Sequence, residues 1–225
     1  MCTDENLDES ICKQSAWSEQ THADAVEDPI NQSFSGEERN RFYRNSSSST
    51  PNEGRRDFQE QSMLSGLDSI ADGRAFAILD FNHDGRPDIA LCNANAPVLQ
   101  LFENQIESEN NFIALKFEGA ARSESKAATQ SCRDGYGATV KLKLDNGQTL
   151  LREFRCGEGF AAQNSDTMII GIGDSQTVQQ IEVTWPSGKT QQVGPIGTGE
   201  LQMLTEAEDN QQLSPVRYAI DEPTN

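Results

Sequence analysis

The stretch ATVKLKLDNGQTLLREF, Ala138 to Phe154, decides the fold class because polarity alternates on both sides of a turn. In its first half, apolar side chains occupy every second position with lysines between them, which predicts a strand with one buried and one solvated face. A two-residue Asn-Gly turn would put Phe154 on the lysine face. A three-residue turn with Gly147 left-handed pairs Leu142 with Leu150 and keeps the apolar faces together, so we expect that register.

Short alternating segments, separated by Gly, Asn and Asp, continue through the region from about Phe58 to Thr205. This pattern is typical of an all-β domain, and we expect an antiparallel β-sandwich or a barrel-like fold. Helical periodicity is weak and confined to Gln59–Leu67. A second hairpin is predicted where Pro186-Ser187-Gly188 reverses the chain. The predicted strands are Arg74–Leu79, Asp88–Cys92, Val98–Phe102, Phe112–Phe117, Ala138–Leu144, Leu150–Cys156, Met168–Ile172, Val178–Trp185, Thr190–Val193 and Leu201–Leu204.

Both ends of the chain have a composition that does not build a core. The first forty residues contain ten Asp or Glu and two Lys or Arg, so residues 1–33 are predicted to form a disordered acidic arm. The serine-rich stretch Arg44 to Arg56 is predicted to be a flexible linker. We therefore divide the chain into the arm, a region 34–106, a β domain 107–205 and a polar tail 206–225.

The charge of the chain restricts its partners. It carries 36 acidic and 18 basic side chains, a net charge of −18, which repels nucleic acid and anionic lipid surfaces and favours cations. No run of apolar residues is long enough to span a membrane. The N-terminus MCTDENLDES has no secretory signal, so we expect either an internal protein or a start that is not the native one.

The sharpest local motif is DFNHDGRPD, which begins at Asp80 and ends at Asp88. Asp80, Asn82, Asp84 and Asp88 supply side-chain oxygens at positions 1, 3, 5 and 9, and Arg86 would supply its backbone carbonyl at position 7. A glycine at position 6 allows the tight turn that brings these oxygens around one cation. Hard oxygen donors at this spacing predict a Ca²⁺ site.

The flanks of the motif identify the kind of loop. Leu91 stands at position 12, where an EF-hand requires a bidentate glutamate, and both flanks have strand patterns. We therefore expect a calcium loop between two β-strands. The alternative is a plain acidic turn in which Asp80 and Asn82 cap backbone amides. His83 is expected to be solvated.

Catalytic motifs for nucleophilic hydrolysis, zinc proteolysis, nucleotide binding and dinucleotide binding are not found, so the chain is not predicted to be an enzyme. Glu153, Glu158 and Asp174 could converge as paired carboxylates, but stray pairs are expected in so acidic a chain. Phe160 and Trp185 are expected to be core aromatics rather than a sugar-stacking platform.

The acidic motif and the segments that follow it resemble known families. DGRAFAILDFNHDGRPDIALCNANAPVLQLFEN resembles an FG-GAP or VCBS-type calcium repeat. RDGYGATVKLKLDNG, REFRCGEGFAAQNSD, IIGIGD and IEVTWPSGKTQQV resemble the ASPIC/UnbV domain. FSGEERNRFYRN is similar to the segment that precedes the repeat in bacterial members. The combination, from Phe34 to Thr205, is that of the cartilage acidic protein family and its bacterial relatives.

The resemblance implies a calcium-binding protein of the cell envelope or the extracellular space with adhesive or matrix roles, whose partners are extracellular proteins or polysaccharides. Its calcium ligands fall on the five positions already named. Relatives carry several repeats and a leader, so a single repeat without a leader implies a truncated gene model or a fragment.

Two functions remain open at this stage. The first is a calcium-stabilised binding or adhesion module. The second is a polysaccharide-binding accessory domain or glycan-active enzyme that uses Trp185 or Phe160 as a sugar platform.

The cysteines leave a further alternative open. Hairpin geometry could bring Cys132 to Cys156 for a disulfide, and the alternative is two unpaired thiols. Cys92 is expected to be a buried free thiol.

Overall fold

The computed structural model describes residues 33, 36–47, 56–121, 130–155, 157–206 and 216–218. The acidic arm predicted for residues 1–33 lies almost wholly outside them. The chain divides into two compact units, the first made of the residues up to Asp72 together with Ala94–Val98, and the second made of Gly73–Asn93 and the residues from Leu99 onward.

The first unit contains a β-hairpin that the sequence pattern did not predict. Strand β1 (Tyr43–Ser47) pairs antiparallel with β2 (Arg56–Glu60), and the four-residue helix α1 (Ser62–Ser65) follows. The prediction of a flexible linker over Arg44–Arg56 is therefore wrong at its two ends. The described side chains of these strands are exposed, so the backbone hydrogen bonds form without the apolar alternation that would have revealed them.

The second unit begins with a three-stranded antiparallel sheet. Strand β3 (Gly73–Leu79) pairs with β4 (Asp88–Asn93), and β4 pairs with β5 (Leu99–Phe102). Leu79 lies opposite Asp88, so the acidic motif forms the connection of a hairpin. The prediction of a loop between two strands is confirmed.

A two-sheet sandwich forms the rest of the second unit. One sheet has the order β11-β10-β7-β8, with β12 also paired to β10, and the other has the order β14-β13-β6-β9. The strands are β6 (Asn111–Glu118), β7 (Thr139–Leu144), β8 (Thr149–Glu153), β9 (Thr167–Gly173), β10 (Thr177–Thr184), β11 (Thr190–Val193), β12 (Ile196–Gly197), β13 (Glu200–Thr205) and β14 (Val216–Arg217).

The core lies between these two sheets and is built as the alternation predicts. Inward side chains of both sheets form one buried cluster that includes Ile113, Leu115, Leu142, Ile170, Ile181, Val183 and Trp185. In the β7–β8 hairpin Leu142 lies opposite Leu150, and Gly147 has a φ of 85°, so the three-residue turn is confirmed. The second hairpin is confirmed as well, since β10 and β11 pair across Pro186–Gly188.

The structure corrects three details of the predicted architecture. The described strands form an open sandwich and no closed barrel. Strands β13 and β6 run parallel, which short antiparallel hairpins cannot produce and which requires a long connection. The described part of the predicted polar tail is folded, because Glu206 is buried, Val216 and Arg217 form β14, and Tyr218 is buried. Among the described residues, no helix has the length and apolar character needed to cross a membrane.

Candidate metal centre

The β3–β4 hairpin brings the two outer carboxylates of the acidic motif to its base, where both are buried. Asp80 Oδ2 accepts the Gly85 N–H at 2.8 Å, and its Oδ1 accepts the Asp84 N–H at 3.1 Å. Asp88 is 0% exposed and accepts the N–H of Phe81 at 3.1 Å. The strands thus place Asp80 and Asp88 at the two ends of one tight turn, as the spacing predicts.

Asp88 also anchors the turn to the third strand of its sheet. Its Oδ1 accepts the N–H of Asn104 at 2.7 Å, just beyond the end of β5. Arg86 contributes a second connection, because its Nε donates to the Asn104 carbonyl at 2.8 Å. Two residues of the C-terminal half of the turn therefore hold the same segment.

The middle of the turn is closed by side-chain contacts of Asp84. Its Oδ1 accepts the Arg86 N–H at 2.8 Å, and its Oδ2 accepts the Asn82 side-chain amide at 2.9 Å and also pairs with the Arg86 guanidinium. Arg86 was predicted to act through its backbone carbonyl alone, and the sequence reasoning missed this role of its side chain. An arginine two residues after an aspartate in a tight turn is the signal that could have indicated the pair.

Like charges crowd this turn. The pKa of Asp80 is raised above its ordinary value, chiefly because burial disfavours the charged carboxylate. The N–H groups of Gly85 and Asp84 oppose the shift, and the charges of Asp84 and Asp88 add to it. The hydrogen bonds described for Asp80 and Asp88 come from neutral donors, so the turn concentrates negative charge away from water.

The outer side of the turn is partly covered by an aromatic contact. His83 has a φ of 59°, and its ring stacks on Tyr218 with the centroids 4.7 Å apart. Tyr218 also meets the edge of Phe112 at 6.0 Å. Burial, and then the Asp80 charge and the hydrogen bond that Asp80 accepts, raise the pKa of Tyr218. His83, which was expected to be solvated, is half-buried with one ring face on Tyr218, and nothing in the polar tail composition indicated Tyr218.

The donor chemistry of the turn fits a calcium ion. The predicted ligand atoms are all oxygens, and each carboxylate has about four lone-pair sites, so the hydrogen bonds that it accepts do not exhaust them. The same hydrogen bonds are those of the plain acidic turn. Within the described residues, no three His, Cys, Asp or Glu side chains form a group that could hold a metal ion. The ligand set therefore stays a prediction.

A second group of charged residues lies beside a cavity of about 300 Å³. Arg155 contacts Glu153 at 3.0 Å and Glu158 at 3.9 Å, so the structure brings these two carboxylates together across one guanidinium. Asp174 does not join them, because it hydrogen-bonds Asn146 in the turn after β7. Glu153, Arg155 and Glu158 all line the cavity.

The two aromatic residues considered as sugar platforms differ in exposure. Trp185 is 2% exposed, and its indole N–H donates to Gln191 inside the core, so it cannot stack on a ligand. Phe160 is 82% exposed, and the expectation that it lies in the core is wrong. It follows a left-handed Gly157 in a loop without a regular strand.

The described cysteines carry free thiols. Cys132 is exposed, and its Sγ lies 3.8 Å from the Tyr136 carbonyl, while its predicted partner Cys156 is outside the described residues. Cys92 is exposed rather than buried, which corrects the expectation. The three-stranded sheet leaves the Cys92 side of β4 partly uncovered, since the paired Leu99 is exposed too.

The family model for ASPIC and UnbV matches residues 128–211. The match confirms the ASPIC/UnbV resemblance for this part of the chain, which we call the ASPIC/UnbV region. It contains strands β7 to β13 and therefore most of the sandwich. No curated protein matches the chain. The resemblance of Asp72–Asn104 to an FG-GAP or VCBS repeat stays a prediction.

Proposed function

We propose that the protein is a calcium-binding, non-catalytic β-rich module that serves binding or adhesion in an exported or cell-surface protein. The observation that carries the calcium assignment is the turn from Asp80 to Asp88, in which two buried carboxylates and further oxygen donors share one hairpin. The adhesive role and the location rest on the family resemblance.

The energetic argument for a cation starts from burial. Buried carboxylates are normally paired with a positive charge or coordinate a metal, because an isolated buried charge is costly. Arg86 pairs with Asp84, whereas the hydrogen bonds described for Asp80 and Asp88 come from neutral groups. A divalent cation at the turn would offset the repulsion among the three carboxylates. In a chain of net charge −18, it would also meet a favourable long-range field.

Thermal unfolding with and without calcium tests this function. A ligand that binds only the folded state stabilises it by RT ln(1 + [L]/Kd), about 2.7 kcal/mol at one hundred times Kd. We expect calcium to raise the Tm of the wild type, and Asp84→Asn to remove most of the rise. Asp57→Asn, at an exposed position of the first unit, removes the same charge away from the turn and should keep the rise. Identical melting curves in EDTA and in excess calcium would leave only an acidic turn.

Exposure of Phe160 favours a second candidate, a polysaccharide-binding accessory domain. An exposed aromatic ring close in sequence to Glu158, which lines a cavity with Arg155, provides both an apolar surface and polar groups for a sugar. Affinity electrophoresis against a panel of soluble polysaccharides tests it. This candidate is supported if a polysaccharide retards the wild type and Phe160→Ala abolishes the retardation. Phe58→Ala, which removes an exposed phenylalanine of the first unit, is the control and should preserve it. Equal mobility of all three proteins in every gel would exclude it.

A further inference from the structure

The residues Val216–Tyr218, which we call the C-terminal strap, follow the edge of β13, and the last of them contacts the acidic turn. Val216 and Arg217 form β14 on the edge of β13, and the Tyr218 N–H donates to the Gly199 carbonyl at 3.0 Å. These backbone bonds fix the position of the Tyr218 side chain, which is 8% exposed.

The Tyr218 ring contacts the turn on two sides. It stacks on His83 with an interplanar angle of 18°, and the Asp80 carboxylate acts on its hydroxyl strongly enough to raise the pKa of Tyr218 further than burial alone. His83 and Asp80 are an outward and an inward residue of the same turn, so a single side chain from a distant part of the chain depends on the conformation of both. Phe112 of the sandwich contacts the Tyr218 ring edge-to-face, with an interplanar angle of 76°.

We propose that docking of the C-terminal strap and binding of calcium at the turn are coupled, each favouring the other. This inference rests on the proposed calcium function. Tyr218 shields one side of the turn, where Asp80 is 7% exposed, and limits the access of water to the Asp80 carboxylate, which strengthens electrostatic interactions there. The Asp80 carboxylate has about four lone-pair sites, so a tyrosine hydroxyl beside it still leaves sites for a metal. Because coupling between two sites is reciprocal, calcium must tighten the strap by the same factor by which the strap tightens calcium.

Two measurements on the full chain test the coupling. Isothermal titration with calcium chloride compares the wild type with Tyr218→Ala, Tyr218→Phe and the control Tyr43→Ala, which removes an exposed tyrosine of the first unit. We expect Tyr218→Ala to weaken calcium binding about tenfold, Tyr218→Phe to weaken it less because the stack on His83 is kept, and Tyr43→Ala to leave it unchanged. Hydrogen exchange of the peptide that contains Val216–Tyr218 should be slower in calcium than in EDTA.

The outcomes separate this inference from the proposed function. If the wild type and Tyr218→Ala bind calcium equally and exchange of the strap peptide is the same in calcium and EDTA, the coupling is wrong and the calcium function stands. If the wild type gives no calcium binding heat and no exchange change in any peptide of the turn, both are wrong. If circular dichroism shows that Tyr218→Ala is unfolded, Tyr218→Phe takes its place. The coupling is then wrong if Tyr218→Phe binds calcium as tightly as the wild type and if hydrogen exchange of the strap peptide is the same in calcium and in EDTA.

Discussion

Gly85 and Phe112 approach each other so closely that a Cβ atom on the glycine would lie 2.1 Å from Cε1 of the phenylalanine ring. The glycine also has a φ of 83°. Alanine at this position therefore meets both a left-handed backbone, which costs roughly 1–2 kcal/mol, and overpacking, which adds roughly 1–3 kcal/mol. We predict that Gly85→Ala lowers the free energy of unfolding by roughly 2–5 kcal/mol, as measured by urea denaturation.

Gly147 is the matched control for this prediction. Its φ is 85°, but a Cβ atom there meets nothing within 4 Å. Gly147→Ala should therefore show the backbone cost alone, roughly 1–2 kcal/mol. Equal losses of stability in the two variants would mean that the acidic turn does not pack against Phe112.

Glu206 links three segments of the second unit through its carboxylate. It is 5% exposed, and it accepts the N–H groups of Ala120 at 2.9 Å and Ser131 at 2.8 Å and the hydroxyl of Ser187. Burial alone would raise the pKa of Glu206, but the Ser187 hydroxyl and the two N–H groups outweigh it and lower the pKa. The charged carboxylate is thus the form that the fold stabilises.

The pH dependence of stability follows from this direction. Since the pKa of Glu206 is lower in the folded state, its contribution is present above the ordinary value of 4.5 and is lost as the pH falls through the folded pKa. Glu206→Gln should lose about 1–3 kcal/mol at pH 7, because an amide cannot accept all these bonds, and should lose less at pH 3. Urea denaturation across this range measures both. Glu109→Gln, at an exposed position, should have the same free energy of unfolding as the wild type at each pH. If the free energy of unfolding of Glu206→Gln changes with pH in parallel with that of the wild type, the prediction is wrong.

Trp185 and Phe160 are predicted to respond in opposite ways to truncation. Trp185 packs edge-on against Phe117 at 6.2 Å within the core, so Trp185→Ala should cost roughly 3–5 kcal/mol of stability. Phe160→Ala removes an exposed ring and should change stability by less than about 0.5 kcal/mol. Urea denaturation measures both values. A large loss on Phe160→Ala would show that its loop packs in solution.

Local patterns in the sequence predicted those parts of the fold that depend on neighbouring residues. The register of Leu142 with Leu150 follows from alternation and turn length, and the Asp80 to Asp88 turn follows from ligand spacing and a glycine. Both features are set within a few residues of the chain.

The missed features depend on distant residues or on backbone pairing alone. Tyr218 reaches His83 only because β14 pairs with β13, a contact that no local pattern carries. Strands β13 and β6 pair in parallel across a long connection. The described side chains of β1 and β2 are exposed, so the hairpin has the same polarity as a linker.

The two cysteines with described surroundings give a prediction on chemical reactivity. Cys92 and Cys132 are both exposed free thiols, so an alkylating reagent reaches them without unfolding. We expect both to be modified by iodoacetamide in the native, unreduced protein, with peptide mapping by mass spectrometry as the measurement. Buried thiols would react only in denaturant. The same test on protein made in an oxidising compartment addresses the disulfide. Modification of Cys132 in that protein excludes a bridge to Cys156. If Cys132 is protected there and a reductant removes the protection, the disulfide alternative is restored.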